Sequence, residues 1–494
     1  MSLENRIRIA FLTPEMAPLA KTGGLADVTG ALPKYLSLNP SLEVAVVMPL
    51  HREVRKKNLP LQLKIDGLKI DWPGTEKSFS VHEYRADGFN VYLIDNPTFY
   101  DRDYLYGTPE GDYPDNGQRF AFFSLAALKT LRALDFKPDL IHAHDWQSAL
   151  AFAYLRHGRT EAGFYDRTRL LFTIHNLAYQ GLFPPEILEK VGLPSSLFNP
   201  ENLEFYGRVN FLKAGLIYSD AISTVSPTYS LEIQTPEFGF GLEGVLRHRS
   251  DRLFGILNGI DYQDWNPATD PALPAHYSRD NPAGKTICRM ELLRAFNFPL
   301  DSARPIIGMV SRLAGQKGFD LLVRSLDELL QEEVYLVILG TGEKDIQNLL
   351  LEARAKYPDR LGLRIAFDDR LARLIYAGSD FFLIPSRYEP CGLTQMYSLR
   401  YGTVPVVRST GGLKDSVREF NPGTLQGNGF LFQDYQTTAM LEAIHRALTF
   451  YRQEPFWSKL VDNALASNFS WEKSAEDYFQ LYTRILSWPV ARSS

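Results

Sequence analysis

Pro305-Ile-Ile-Gly-Met-Val310, running into Ser311-Arg-Leu-Ala-Gly-Gln-Lys317-Gly318, is the stretch that decides the fold. A short apolar run with β-branched residues reads as a buried strand, and the polar, glycine-containing turn after it opens a helical pattern. The unit recurs at Val334 to Leu339, Leu363 to Ile365, Phe381 to Ile384 and Val404 to Val407. Upstream it recurs at Ile7 to Leu12, Glu43 to Met48, Asn90 to Ile94, Leu140 to His142 and Leu170 to Ile174. Strands alternating with helices make βαβ units and a parallel sheet. The polar, proline-containing stretch from Asn258 to Asn281 interrupts the alternation. Two doubly wound α/β domains are therefore expected, 1–255 and 256–473, followed by a terminal helical segment, 474–494. Residues 60–90, alternating in polarity around Gly67, Gly74 and Gly88, predict antiparallel hairpins instead. In the last segment Tyr478, Tyr482 and Ile485 share one face of an amphipathic helix.

A chain of 494 residues is too long for one hydrophobic core. Its 45% hydrophobic and 22% charged residues exclude global disorder. A net charge of -5 argues against general affinity for nucleic acid or acidic membranes, so any phosphate chemistry must be local. Cys288 and Cys391 are the only cysteines and form neither a disulfide framework nor a zinc spacing, which fits a reducing cytoplasm. The start of the chain lacks a signal-peptide pattern, and no stretch reaches the roughly 18 apolar residues of a membrane span. A soluble, cytoplasmic protein is expected.

Doubly wound sheets bind ligands outside the carboxyl ends of their strands, and two such sheets facing each other would enclose one deep cleft. Lys21-Thr-Gly-Gly-Leu-Ala-Asp27 follows the first strand, where glycines let backbone amides approach a phosphate and lysine adds charge. Neither this motif nor Gly340-Thr-Gly-Glu-Lys-Asp345 is a dinucleotide fingerprint, which disfavours a nicotinamide oxidoreductase. Arg312 and Lys317 place two cations at a strand end, suited to a leaving diphosphate. Glu389 stands between Tyr388 and Pro390 in a strand-to-helix turn, a costly place for a carboxylate unless it accepts hydrogen bonds. His142-Ala-His-Asp-Trp146 and Thr173-Ile-His-Asn-Leu177 end two further strands. His142 and His144 are expected to point to opposite faces of their strand, which weighs against a shared metal. Asp101 and Asp103 superficially match a DxD metal motif but read as turn-forming aspartates. No metal and no cofactor are expected.

These motifs, in this order, resemble the glycogen and starch synthase family of nucleotide-sugar transferases, from Ile7 to about Trp471. The phrases carrying the likeness include Lys21-Thr-Gly-Gly-Leu-Ala-Asp-Val, His142-Ala-His-Asp-Trp, Thr173-Ile-His-Asn-Leu-Ala-Tyr-Gln-Gly, Leu257-Asn-Gly-Ile-Asp and Glu389-Pro-Cys-Gly-Leu-Thr. The resemblance implies a GT-B architecture, two Rossmann-like domains closing over a donor, with the terminal helix returning to the first domain. It implies ADP-glucose as donor, an α-1,4-glucan as acceptor, and retention of configuration. Lys21, with Gly24 and Asp27 in its motif, would join Arg312, Lys317 and Thr394 at the diphosphate. Asp145, His175, Asn176, Asn258 and Glu389 would surround the glucose, helped by the amides of Cys391, Gly392 and Leu393. Phe367 stands where a tyrosine contacting the base is common, Gln147 where many members have histidine, and Lys414 at a usually small or apolar position. Tyr397 stands where many other GT-B enzymes carry a second glutamate. A sucrose-synthase-like or trehalose-type transferase is the nearest alternative, and a non-catalytic sugar-binding protein a more distant one.

Overall fold

The computed structural model describes residues 6–108, 110–158, 160, 163–300 and 303–489; the ends of the expected first domain and terminal segment, 1–5 and 490–494, lie outside the described residues. The chain separates into two compact units. The first gathers Met1–Val225, Ser230–Ile256 and Trp471–Ser494, and the second Ser226–Tyr229 and Leu257–Ser470. The short excursion at 226–229 into the second unit has no compositional mark in the sequence.

In the first unit β1 (Ile7–Leu12), β2 (Leu42–Pro49), β3 (Gln62–Trp72), β4 (Thr75–Arg85), β5 (Asn90–Asp95), β6 (Leu140–His144), β7 (Arg169–Ile174), β8 (Ala221–Thr224) and β9 (Leu253–Gly255) form one sheet. Its order is β9-β8-β7-β6-β1-β2-β5-β4-β3. From β9 to β5 neighbours run parallel. The β3–β4 and β4–β5 pairs are antiparallel, so the 60–90 region extends the parallel sheet by a hairpin. Strand β8 escapes a reading by pattern because four residues, Ala221-Ile-Ser-Thr224, are too few to show a period. β1 is nearly all buried, with Ile9 and Phe11 packed among Val44, Val46, Leu140 and Leu171, as expected for a sheet covered on both faces.

Helix α1 (Gly24–Ser37) covers part of this sheet, and the terminal helix, Trp471–Leu486, packs against α1. That terminal helix buries Trp471, Ala475, Tyr478, Leu481, Tyr482 and Ile485, a stripe at helical spacing within the first unit's core.

The second unit holds β10 (Ile306–Val310), β11 (Tyr335–Gly340), β12 (Leu361–Ile365), β13 (Phe381–Ile384), β14 (Val404–Arg408) and β15 (Phe430–Phe432), in the order β12-β11-β10-β13-β14-β15. Every pair is parallel. Each sheet has one point where successive crossovers diverge, between β1 and β6 in the first and between β10 and β13 in the second. Loops leaving adjacent strands part there, and the resulting crevice is where such sheets hold ligands.

Candidate active site

At the divergence point of the first sheet, the loop leaving β1 is pinned by a residue that pattern reading overlooks. The buried Glu15 carboxylate accepts from Thr22 N at 2.6 Å and Thr22 Oγ1 at 2.7 Å, while its carbonyl accepts from Thr13 Oγ1 and Thr29 Oγ1, each at 2.7 Å. Burial pushes Glu15 up to about 7 against the opposing Thr22 hydrogen bonds. Glu15 thereby fixes the Lys21-Thr-Gly-Gly turn at the start of α1, where Gly24 is the first helical residue and Asp27 lies in the first turn. Lys21 Nζ donates to Asp27 Oδ1 at 2.6 Å. The only advance signal of Glu15 is position: it is the one charged residue in the run from Phe11 to Ala20.

Across the divergence point, Asp145 follows β6 and precedes helix α2 (Trp146–Arg156), with φ 54° and ψ 178°. That backbone region is nearly forbidden to residues with a side chain, and such strain concentrates where function requires it. The carboxylate is buried, and Oδ1 accepts from His175 N at 2.8 Å, while Asp145 N donates to the Thr173 carbonyl at 3.0 Å. Two strand ends are thus locked together, bringing Asp145, His175 and Asn176 side by side. Asn176 turns its own Oδ1 back to accept from Ala178 N at 3.1 Å.

His142 and His144 share a face of β6, contrary to the expectation from the sequence: their ring centroids lie 4.1 Å apart. Residues two apart on a strand must point the same way, so it is the expectation of opposite faces that fails. Burial drives both histidines well below their ordinary value, and His175 down to about 3. All three rings are neutral. Arg52 donates to Asp101 Oδ1 at 2.8 Å and to Asp103 Oδ1 at 2.7 Å, so these aspartates serve an ion pair. Among the described residues, no group of three His, Cys, Asp or Glu side chains is placed to hold a metal ion.

Burial also pushes Asp145 up, from 3.8 to about 8, against hydrogen bonds from His175 and Asn176. The folded protein therefore holds a proton that the unfolded chain releases, and stability falls as pH rises from about 4 to about 8. Asn in place of Asp145 keeps an acceptor for His175 N and has no charge to bury. Asp145→Asn should raise the melting temperature at about pH 8.5 by several degrees and by clearly less at about pH 5.5. Calorimetry at both values checks this, and an equal or negative shift would refute the burial argument.

In the second unit the loops leaving β10 and β13 press together at the other divergence point. A Cβ on Gly318, whose φ is +78°, would stand 2.0 Å from the Pro385 carbonyl oxygen. Arg387 N donates to Gln316 O at 2.8 Å. This approach carries Lys317 Nζ to Glu389, 2.9 Å from Oε1 and 2.7 Å from Oε2, and Ser386 Oγ adds a donor at 2.8 Å. Glu389 is buried and has the hydrogen bonds its costly position demands. The Ser409-Thr-Gly-Gly turn closes in behind it: Gly412 N donates to Glu389 O at 3.1 Å, and a Cβ on Gly411 would stand 1.9 Å from that oxygen.

Helix α3 (Thr394–Arg400) begins directly after Cys391, Gly392 and Leu393. Buried Gln395, which sequence reading passed over, ties this turn down by donating to the carbonyls of Cys391 and Gly392 at 3.1 and 2.8 Å. Asn258 is buried beside Cys391, and its Oδ1 lacks a hydrogen-bond partner among the described residues. Arg312 is exposed at the end of β10, and Phe367, 89% exposed, follows β12. Tyr397 stacks on Trp265 at 3.7 Å.

Two doubly wound units, each with cations, carboxylates and glycine turns at its divergence point, define a glycosyltransferase of GT-B type. Residues 8–248 match the starch synthase catalytic domain and residues 294–456 the glycosyl transferases group 1. Glycogen synthase of Koribacter versatilis is 46% identical over 479 residues, covering 97% of this chain and 98% of that one. The catalytic domain of starch synthase IV from Arabidopsis thaliana, bound to ADP and acarbose, is 34% identical with a TM-score of 0.89, covering 98% of this chain and all of that one. Sucrose-phosphate synthase from Thermosynechococcus elongatus, 18% identical with a TM-score of 0.60 and coverage of 98% and 100%, shares the fold alone. The chain belongs to the glycogen and starch synthase family. It is a glycosyltransferase with a nucleotide-sugar donor and a glucan acceptor, and no described helix is long and apolar enough to cross a membrane.

Proposed function

We propose that this chain transfers glucose from ADP-glucose to the non-reducing end of an α-1,4-glucan with retention of configuration, releasing ADP. The observation that carries the proposal is the pairing of Lys317 with a buried Glu389 at the divergence point of the second sheet. One is a cation for a departing diphosphate, the other a carboxylate for a sugar. Arg312, Lys21 and the Thr394 turn add to the diphosphate grip, with Gly24 and Asp27 shaping the Lys21 turn, and Phe367 lies by the base. Asp145, His175, Asn176 and Asn258 hold the glucose together with Glu389 and the amides of Cys391, Gly392 and Leu393. The first of the expected domains, 1–255, with the terminal segment 474–494, serves the acceptor, and the second, 256–473, the donor. The ADP held by the related Arabidopsis enzyme supports an adenine donor, and two buried free cysteines, Cys288 and Cys391, suit the cytoplasm.

Retention by double displacement requires an ionised carboxylate as nucleophile. Asp145 has its proton held by burial, and Glu389 is engaged by Lys317 and Ser386. Front-face attack, with the acceptor hydroxyl approaching beside the leaving diphosphate, makes better use of these groups. A coupled assay on glycogen with ADP-glucose or UDP-glucose tests the proposal. Nucleoside diphosphate release is expected with ADP-glucose at least about tenfold faster, a discrimination of roughly 1.4 kcal/mol. Equal rates, or release without glucan elongation, would refute it.

A further inference from the structure

We propose that His144, which has no assigned part in the reaction, is a positioning residue that fixes the tautomer of His175, so that His175 presents an Nδ1–H donor. The inference deepens the proposed function and rests on its reading of His175 as a group that touches the sugar.

His144 Nδ1 and His175 Nε2 are 2.9 Å apart, so one of these nitrogens carries a hydrogen and the other a lone pair. Burial keeps both rings neutral, so each carries a single N–H. The choice between the two arrangements is made by the far side of His144. Its Nε2 is buried and has no hydrogen-bond partner among the described residues. A proton there would be an orphaned N–H in a buried position, whereas an orphaned lone pair is the cheaper defect. His144 therefore carries its hydrogen on Nδ1 and donates to His175 Nε2. His175 must then keep its own hydrogen on Nδ1, although a free histidine side chain favours Nε2–H. An N–H in that place matches a hydroxyl oxygen of a sugar as acceptor.

The arrangement is rigid because His144 packs against two buried rings that also touch each other, Phe11 and His142 lying 4.9 Å apart. Phe11 stacks on it at 5.5 Å with 12° between the planes, and His142 lies at 4.1 Å. His142 cannot turn, since Nδ1 is 2.9 Å from Tyr482 Oη on the terminal helix and Nε2 meets Thr173 Oγ1, which in turn reaches Ser223 Oγ at 2.6 Å. Every member of this stack belongs to the first unit.

Long-range ¹H–¹⁵N spectra of the histidine-labelled full chain read the tautomers directly, with His175→Gln used for assignment. His175 is expected as Nδ1–H in the native protein. His144→Phe, which keeps a flat ring and removes the donor, should return His175 to Nε2–H. It should also lower kcat about tenfold, the worth of one hydrogen bond, with ADP affinity within about twofold. His144→Asn places its amide near the lost Nδ1–H and should restore both the tautomer and most of the turnover. A native His175 in the Nε2–H form would overturn the proposal. So would equal impairment in the Asn and Phe variants with native-like spectra. A switched tautomer with unaltered turnover would uphold the positioning by His144 and overturn the role of His175 at the sugar.

Discussion

Glu389→Gln should lower kcat by about a hundredfold or more while leaving ADP affinity within a few-fold, because the side chain keeps its size and loses only its charge. In the native chain both carboxylate oxygens receive the Lys317 ammonium and Oε2 also receives Ser386 Oγ. A glutamine offers one oxygen, and because Lys317 contacts both carboxylate positions its NH2 faces the ammonium in either orientation, donor against donor. The charge that would offset positive character on the sugar ring is gone as well. The backbone is less affected, since the Glu389 carbonyl still accepts from Gly412 N. Steady-state kinetics with ADP-glucose, alongside calorimetric titration with ADP, separates the two effects. Turnover within about threefold of the native enzyme would remove Glu389 from the chemistry. Loss of ADP binding in parallel with turnover would instead mean that the second unit's loops had collapsed.

The strands at the centre of both sheets are legible because burial on both faces forces continuous apolar runs, as at Ile306 to Val310. Strands at the margins, Ala221–Thr224 and Phe430–Phe432, are too short to show a period. The residues after strands could be picked out as candidates because doubly wound sheets leave ligands only that place. What could not be read is who meets whom. Lys317 and Glu389 lie 72 positions apart, and only the adjacency of β10 and β13, non-consecutive in the chain, brings them together. Glu15 and Gln395 are hard to read in advance for a different reason. Each works by satisfying backbone and hydroxyl groups of a turn, a role that leaves no spacing signature. The shared face of His142 and His144 follows from strand parity rather than from the opposite faces expected, as their rings 4.1 Å apart show.

Lys317→Ala should likewise lose about a hundredfold in kcat with a much smaller change in donor affinity, as befits a cation that acts on charge developing in the transition state. Its contact with Glu389 makes a sharper test possible. Removing Lys317 takes the ammonium away from a buried carboxylate to which Ser386 still donates, so part of the loss in the single variant comes from a displaced or protonated Glu389. The same holds in reverse for Lys317 when Glu389 is neutralised. Two groups that act as a unit give non-additive losses, so the Lys317→Ala, Glu389→Gln double variant should be little worse than either single variant. Arg312 is the control. Its side chain is exposed, whereas Lys317 is half-buried against Glu389. Arg312→Ala should reduce turnover on its own, and its loss should add to that of Glu389→Gln, multiplying the rate factors. Turnover measured across both cycles at saturating ADP-glucose decides the matter. Additive losses for the Lys317 and Glu389 pair would show that their ion pair is incidental to catalysis. Near-native turnover in Lys317→Ala and Arg312→Ala would show both to be solvated charges.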